Sequence, residues 1–435
     1  MRELKAGFGR LDITPPLGMD MERYRIRPAE GILDPLLATA VAFEMEDKLA
    51  VALSVDVTGM NQGLADRARS MIAGAIGTEP EAVFLHCTHT HLGPVINTVG
   101  KDDAYIEYML KKIRDAALLA TQDLAPATLS YTRGTAEKVA FVRRFRMKDG
   151  SSRTNPGRLN PDILHPLGES DDNTSLLIVK RENKPEIGIV NFQVHPDVVD
   201  GNMISADFPA FVRDTYEKLI DNSRCMYING AEGDTNHTDI SLEDGRCIGG
   251  YDRARYMGRK IAMSVIADYE LAQPIPLEKG IRWGQKNIFV KHNKGRPDQI
   301  EEAARLTKAV KEFGSKVAVP YAVGMERVTI IAEAGRITSL ANQPDEKELY
   351  MTAVAIGDVV FAGFPGEPFT EIGRSVKNNS KFTLTFTACC ANGYEGYYPM
   401  QEAYDEGGYE ARSARYVAGT AEKLIEASTE LINSL

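Results

Sequence analysis

An α/β domain with its site at strand ends is the fold class this sequence predicts, and three observations carry that prediction. Apolar strand-like runs alternate with helix-like runs, the rhythm of α/β folds. Several of those strands stop abruptly at His, Glu or Tyr beside Gly or Pro, and α/β folds collect their sites at strand C-terminal ends. Composition supports one enzyme-like globular body. It is 43% hydrophobic and 26% charged over 435 residues, without repeat, low-complexity tract or linker, so residues 1–435 read as one domain.

Charge narrows the function classes. Lys and Arg number 51 against 61 Asp and Glu, a formal net charge of −10. That sign speaks against nucleic-acid binding, which needs a basic surface to neutralise phosphates. It also disfavours anionic membrane surfaces. No run reaches the roughly 18 apolar residues of a membrane span, so no transmembrane segment is expected. The N-terminus enters a strand-like segment without an apolar signal region. The five cysteines, Cys87, Cys225, Cys247, Cys389 and Cys390, are odd in number and lack Cys-x-x-Cys spacing. A cytoplasmic chain with reduced, mostly buried thiols is the expectation.

Taken in order, residues 6–16 read as a strand closed by Pro15-Pro16, and the Gly7-Phe8-Gly9 within it is too weak a signal for a phosphate loop. Residues 37–46 and 49–57 read as a hairpin whose second arm is almost wholly apolar, as a strand buried on both faces should be. Asp56 closes that arm and has two readings, reaching the site or capping the next turn. A helix over 62–76, a strand over 81–88 and an amphipathic helix over 103–124 follow. Residues 141–172 are polar and turn-rich and read as a long functional loop. Strands are expected over 174–181, 186–194 and 224–229, with helices over 207–221 and 250–271. A strand over 279–291 and a helix over 297–313 come next, while residues 322–343 carry no clear period. Strands over 349–356 and 358–364, a helix over 369–378 and a strand over 382–390 lead into a Tyr- and Gly-rich loop, 391–410. A last helix is expected over about 414–433.

The densest chemistry lies in Phe84-Leu85-His86-Cys87-Thr88-His89-Thr90-His91-Leu92-Gly93-Pro94, which holds three of the seven histidines. His89 and His91 are two apart, so on an extended backbone both imidazoles project from one face. His195, Glu367 and the tyrosines after Cys390 end later strands in the same manner. Each has a bland reading alone: a satisfied strand-end histidine, a carboxylate capping the next helix, one tyrosine among 17. Together, imidazoles plus a carboxylate suit Zn²⁺ and leave a position for water. Zinc lowers the pKa of bound water to about 7.

The motifs resemble the N-terminal catalytic domain of the neutral, non-lysosomal ceramidase family. Gly7-Phe8-Gly9-Arg10-Leu11-Asp12-Ile13-Thr14 stands for its opening Gly-x-Gly-Arg-x-Asp-x-Thr, and Thr88-His89-Thr90-His91-Leu92-Gly93-Pro94 for its Thr-His-Thr-His-Ser-Gly-Pro. Asn191-Phe192-Gln193-Val194-His195-Pro196, Pro365-Gly366-Glu367 with Gly373-Arg374, and the block from Asn392 through Tyr394, Tyr397, Glu402, Tyr404 and Tyr409-Glu410 to Ser413 follow in family order. The matches run from residue 7 to residue 413.

This resemblance implies layered mixed β-sheets flanked by helices. It implies one zinc ion per chain held by His89, His195, Glu367 and Tyr397, with His91 as acid/base and Tyr409 as oxyanion donor. Arg143 falls at a substrate-contacting arginine, in Val142-Arg143-Arg144 where the family has Asn-Arg-Ser, and Asp207 matches a segment near the site. One departure stands out. The family's Gly-Asp-x-Ser-Pro-Asn is Gly233-Asp234-Thr235-Asn236-His237-Thr238 here. Asn236 cannot be a nucleophile, so a water-borne mechanism survives and a serine-acyl one does not. Asn236 and His237 become candidate substrate contacts. The family's immunoglobulin-like C-terminal domain and secretion signal find no counterpart in these residues, and no amphipathic stretch suits a lipid surface. The expected activity is zinc-dependent hydrolysis of an amide (N-acyl) bond in a small substrate. The alternatives are an ester or lactone of a soluble sugar-acid-like compound, or a non-catalytic metal- or ligand-binding homologue. Retention of both His91 and Tyr409, which metal binding alone does not need, favours the enzyme.

Overall fold

The structure is a computed structural model and describes residues 3–22, 27–98, 100, 102–241, 249–314, 317, 319 and 322–435. Its larger sheet contains β1 (Leu4–Asp12), β2 (Leu37–Met45), β3 (Lys48–Val55), β4 (Val83–Cys87), β5 (Ala125–Thr135), β6 (Asn173–Arg181), β7 (Glu186–Phe192) and β8 (Ser223–Asn229). Their spatial order is β8-β7-β6-β5-β1-β2-β3-β4, with the short strand Gln273–Pro274 added to β5. The inner pairings are antiparallel, but β3–β4 and β7–β8 are parallel. A second sheet, β9 (Ile281–Lys291), β10 (Glu346–Ile356), β11 (Val359–Gly363) and β12 (Leu384–Ala388), is antiparallel until its last pair, β11–β12, which is parallel.

Parallel neighbours need a crossover, and here each crossover carries a helix. These are α1 (Gln62–Ile76) between β3 and β4, α3 (Phe208–Leu219) between β7 and β8, and α7 (Thr370–Asn379) between β11 and β12. The chain thus builds a hairpin followed by a strand–helix–strand crossover three times. Its remaining long helices are α2 (Asp103–Gln122), α4 (Tyr251–Ile266), α5 (Pro297–Phe313), α6 (Gly324–Leu340) and the C-terminal helix Thr420–Ser434.

Side-chain alternation along the strands sorts the core into layers. Ala38, Ala40 and Ala42 of β2, with Val51, Leu53 and Val55 of β3, face α1–α4. Val41 and Phe43, the alternate residues, face the second sheet and meet Val354, Ile356 and Phe361. The far side of that sheet, including Met351, Ala353 and Ala355, packs on α7 and the C-terminal helix through Ile372, Leu424 and Leu431. Four layers result, helix–sheet–sheet–helix. Gly7 and Gly9 serve this packing. A Cβ on Gly9 would lie 2.0 Å from the Ala116 carbonyl oxygen of α2, so these glycines let a helix lie directly on β1.

Several expectations are corrected. Residues 141–172 are not one loop: Arg144–Met147 pairs with Ser152–Thr154 and Ile163–Pro166 in a small sheet, and Phe141–Val142 pairs with Thr235–Asn236. The strand β5 lies in a stretch where none was expected. The untyped stretch 322–343 is mostly α6. The helix expected over 250–271 ends at Ile266, with a 3₁₀ turn Tyr269–Leu271 beyond it. The loop 391–410 contains the strand Tyr397–Tyr398 and the helix Gln401–Glu406. The last helix starts at Thr420 rather than 414. Cys87, Cys225, Cys389 and Cys390 are free and buried, while Cys247 lies outside the described residues. Among the described residues no helix is long and apolar enough to cross a membrane.

Candidate active site

The three parallel pairs aim their C-terminal ends at one point. His89 and His91 follow β4, His195 follows β7, Glu232 follows β8, Glu367 follows β11, and Cys389-Cys390 follow β12. His89 is held at φ 73°, a left-handed conformation uncommon for a side chain of this size. Its Nδ1 lies 2.6 Å from the Thr58 carbonyl, and His195 Nδ1 lies 3.2 Å from the Glu232 carbonyl. A carbonyl can only accept, so both Nδ1 atoms carry the proton and both Nε2 lone pairs face the centre. Gly366 permits the approach of Glu367: a Cβ there would lie 2.4 Å from the Gly396 carbonyl oxygen. The short parallel ladder Glu367–Pro368 with Tyr397–Tyr398 runs past that point.

The donor atoms converge. His89 Nε2 lies 3.2 Å from His195 Nε2 and 3.3 Å from His91 Nε2. Glu367 Oε2 lies 3.4 Å from His89 Nε2 and 3.3 Å from His195 Nε2. Ligands about 2.0–2.1 Å from a tetrahedral zinc stand about 3.3 Å from each other, so these spacings are those of a zinc cage. Glu367 Oε2 is buried and faces the His89 and His195 Nε2 atoms, so that a cation between the three would meet a carboxylate oxygen and two imidazole nitrogens. The residues present therefore fit the metal that the sequence implies.

Burial works to lower the His89 pKa, but Glu367 outweighs it by charge and hydrogen bonding and raises it to about 10, so a cation entering the cage would take the place of the Nε2 proton. Burial and the imidazoles of His89 and His195 hold His91 well below the ordinary histidine value. Burial opposes ionisation of Glu367, yet His89 and His195 hold its carboxyl well below the usual range. His89 and His195 are 1% and 0% exposed, whereas His91 is only half-buried.

Tyr397 stacks on His195 with ring centroids 6.3 Å apart and meets Tyr409 edge-on at 5.7 Å. Tyr394 donates its hydroxyl to Glu367 Oε1 at 2.7 Å. Arg143 spans this wall. Its guanidinium lies 5.4 Å from the Tyr397 centroid, and its nitrogens donate to Glu410 Oε1 at 2.7 Å and to the Gly233 carbonyl at 2.8 Å. Glu410 also accepts from Thr154 at 2.7 Å. Arg143 is 2% exposed and fixes the backbone beside Tyr409.

The structure brings His89, His91, His195, Glu367, Tyr397, Tyr409 and Arg143 together. The other predicted contacts have partners within the protein. Asn236 donates to Asn155 Oδ1 at 2.8 Å and accepts from the Thr238 amide at 3.0 Å. His237 Nδ1 faces Asp197 Oδ1 at 3.3 Å. Asp207 caps α3, accepting from the Phe208 and Val199 amides, and is fully buried. Asp56 has neither role proposed for it. Arg213 grips it at 3.0 and 2.7 Å, with Thr88 at 3.1 Å and the Leu37 amide at 3.0 Å. His86 faces away from the centre, bridging the Cys389 carbonyl and the Asn229 amide.

Sequence reasoning named Tyr394 without giving it a role and passed over Glu232, which sits just beyond the end of β8, the signal that singled out Glu367.

No protein-family model and no curated protein matches this chain. Solved structures do. The chain superposes on neutral ceramidase from Pseudomonas aeruginosa with a TM-score of 0.75 at 18% identity, covering 100% of this chain and 74% of that one. A ceramidase complexed with C2 gives a TM-score of 0.75 at 16% identity, covering 100% and 75%. The layered α/β fold expected from the motifs is the fold the chain shares with these enzymes.

Proposed function

We propose that this chain is a zinc-dependent hydrolase acting on the amide bond of a small N-acyl compound. The observation that carries the reading is the convergence of His89, His195 and Glu367 on one buried point at zinc-cage spacing. These three residues hold the ion, with Tyr397 beside them. The likeness to ceramidases supports an amide as the bond cleaved. A bound zinc supplies Lewis-acid activation of a carbonyl and of water.

The chain's own residues supply the rest. His91, the least buried of the three imidazoles, exchanges the proton at Nε2: it takes one from the attacking water and returns one to the leaving nitrogen. Its depressed basicity keeps the lone pair available at neutral pH. Tyr409 donates its hydroxyl to the oxygen of the reacting carbonyl as negative charge develops there. Arg143, locked to Glu410, holds Tyr409 in place. Ion analysis of the purified protein, with a screen over N-acyl amino acids, ceramide, esters and lactones, tests the reading. Bound zinc in the wild type and its loss in His195→Ala are expected. Zinc at trace level, or turnover unaffected by chelation, overturns it.

A further inference from the structure

Glu232 is a buried carboxylate at the centre that the mechanism above leaves unused. It is 0% exposed, and neither side-chain oxygen has an N–H or O–H hydrogen-bond partner. The Cys389 thiol beside it is at best a weak donor. A carboxylate taken out of water without partners costs several kcal/mol, so folds keep one only where a cation or a proton meets it. Its donor atom lies within 4.8 Å of those of His89, His195 and Glu367, all four residues being buried. The backbone ties it there as well. The Glu232 carbonyl accepts from His195 Nδ1, and the Gly233 amide that follows donates to the Pro368 carbonyl, next to Glu367.

We propose that Glu232 is itself a donor to the cation, joining His89, His195 and Glu367 in a two-histidine, two-carboxylate set. This rests on the reading that the site holds a metal, and it goes further by changing the charge of the cage. Two carboxylates balance a divalent ion completely. The ion is then bound more tightly and is a weaker Lewis acid than with one. Two hard oxygen donors beside two imidazoles also widen the accepted metals from zinc towards Co²⁺, Mn²⁺ and Fe²⁺. His195 and Glu232 become a single device, since the main chain of one orients the imidazole of the other.

Full-length wild type, Glu232→Gln, Glu232→Asp and His195→Ala are compared by zinc titration against a competing chelator and by the visible spectrum of the Co²⁺-loaded proteins. Thermal unfolding is followed with and without zinc. Glu232→Gln is expected to weaken zinc binding by about 100-fold or more and to change the cobalt spectrum. Its unfolding temperature without metal should equal or exceed that of the wild type, because an unpaired carboxylate has been removed, and zinc should raise it less. Glu232→Asp, which keeps the charge but withdraws it, should show an intermediate affinity, and it decides the matter if the Gln variant does not fold. Zinc affinity in Glu232→Gln within about threefold of the wild type with an unchanged cobalt spectrum, while His195→Ala loses the metal, overturns the role of Glu232 and leaves the metal reading standing. A wild type that binds no zinc overturns both.

Discussion

His91 and Tyr409 are the two residues whose removal should separate chemistry from metal binding. His91→Ala is expected to lower kcat about 10²–10⁴-fold with zinc retained, and Tyr409→Phe about 10²–10³-fold, both read by steady-state kinetics alongside ion analysis. Loss of zinc in His91→Ala would instead make His91 a ligand, a position its 3.3 Å distance to His89 also allows. Arg143 should behave differently. With its side chain 1% exposed, truncation to Ala strands Glu410 in the interior and should cost about 3–5 kcal/mol in denaturant unfolding. Asp207 gives a pH signature. Burial, opposed by the Val199 and Phe208 amides, raises its pKa to about 6 from the ordinary aspartate value of 3.8. Folding therefore favours its protonated form, and stability falls as pH rises between those values, with the full penalty present above about 6. Asp207→Asn removes this slope. Its stability relative to wild type should rise by about 2 kcal/mol from pH 4 to pH 7, measured by denaturant unfolding at each pH. A flat difference would show that the carboxylate ionises normally.

Among elements, the parallel strands were the most legible. β3, β4, β7 and β11 are buried on both faces and so read as unbroken apolar runs, which placed His89, His195 and Glu367 at strand ends before any coordinates. β5 escaped notice although it sits in the middle of the larger sheet. Its sequence, Ala125-Pro126-Ala127-Thr128-Leu129-Ser130-Tyr131-Thr132-Arg133-Gly134-Thr135, is largely polar, only three of its residues are buried, and tertiary pairing on both edges makes it a strand. The small sheet over Arg144–Pro166 was hidden because strands of three or four residues leave no period to read. Asn236 and His237 were legible as unusual residues, but their partners Asn155 and Asp197 were not, the first being remote in sequence and the second unmarked by any pattern. Gly366, by contrast, has a visible purpose. Gly366→Ala would push the Glu367 strand off the Gly396 carbonyl, with an expected loss of about 1–3 kcal/mol and weakened zinc binding by chelator competition. Unchanged binding would show that the ladder with Tyr397 does not position the carboxylate.

For the whole molecule, the threefold use of a hairpin followed by a crossover explains how four layers share one centre: each unit contributes a parallel pair, and each pair ends there. His89 and His195 come from the larger sheet and Glu367 from the second, so an ion held by all three would tie the two sheets together where they meet. Zinc at a thousandfold excess over its Kd should therefore stabilise the protein by about 4 kcal/mol, and both sheets should unfold in one transition, read by calorimetry with and without chelator. The same separation has a kinetic consequence. His89 and Glu367 lie on opposite sides of most of the chain, and no subset of neighbouring residues makes a cage. On the zinc reading an ion would be captured only after both sheets have docked, late in folding. Zinc should leave the refolding rate unchanged and slow unfolding, acting as a latch on a finished molecule rather than as a seed for an unfinished one.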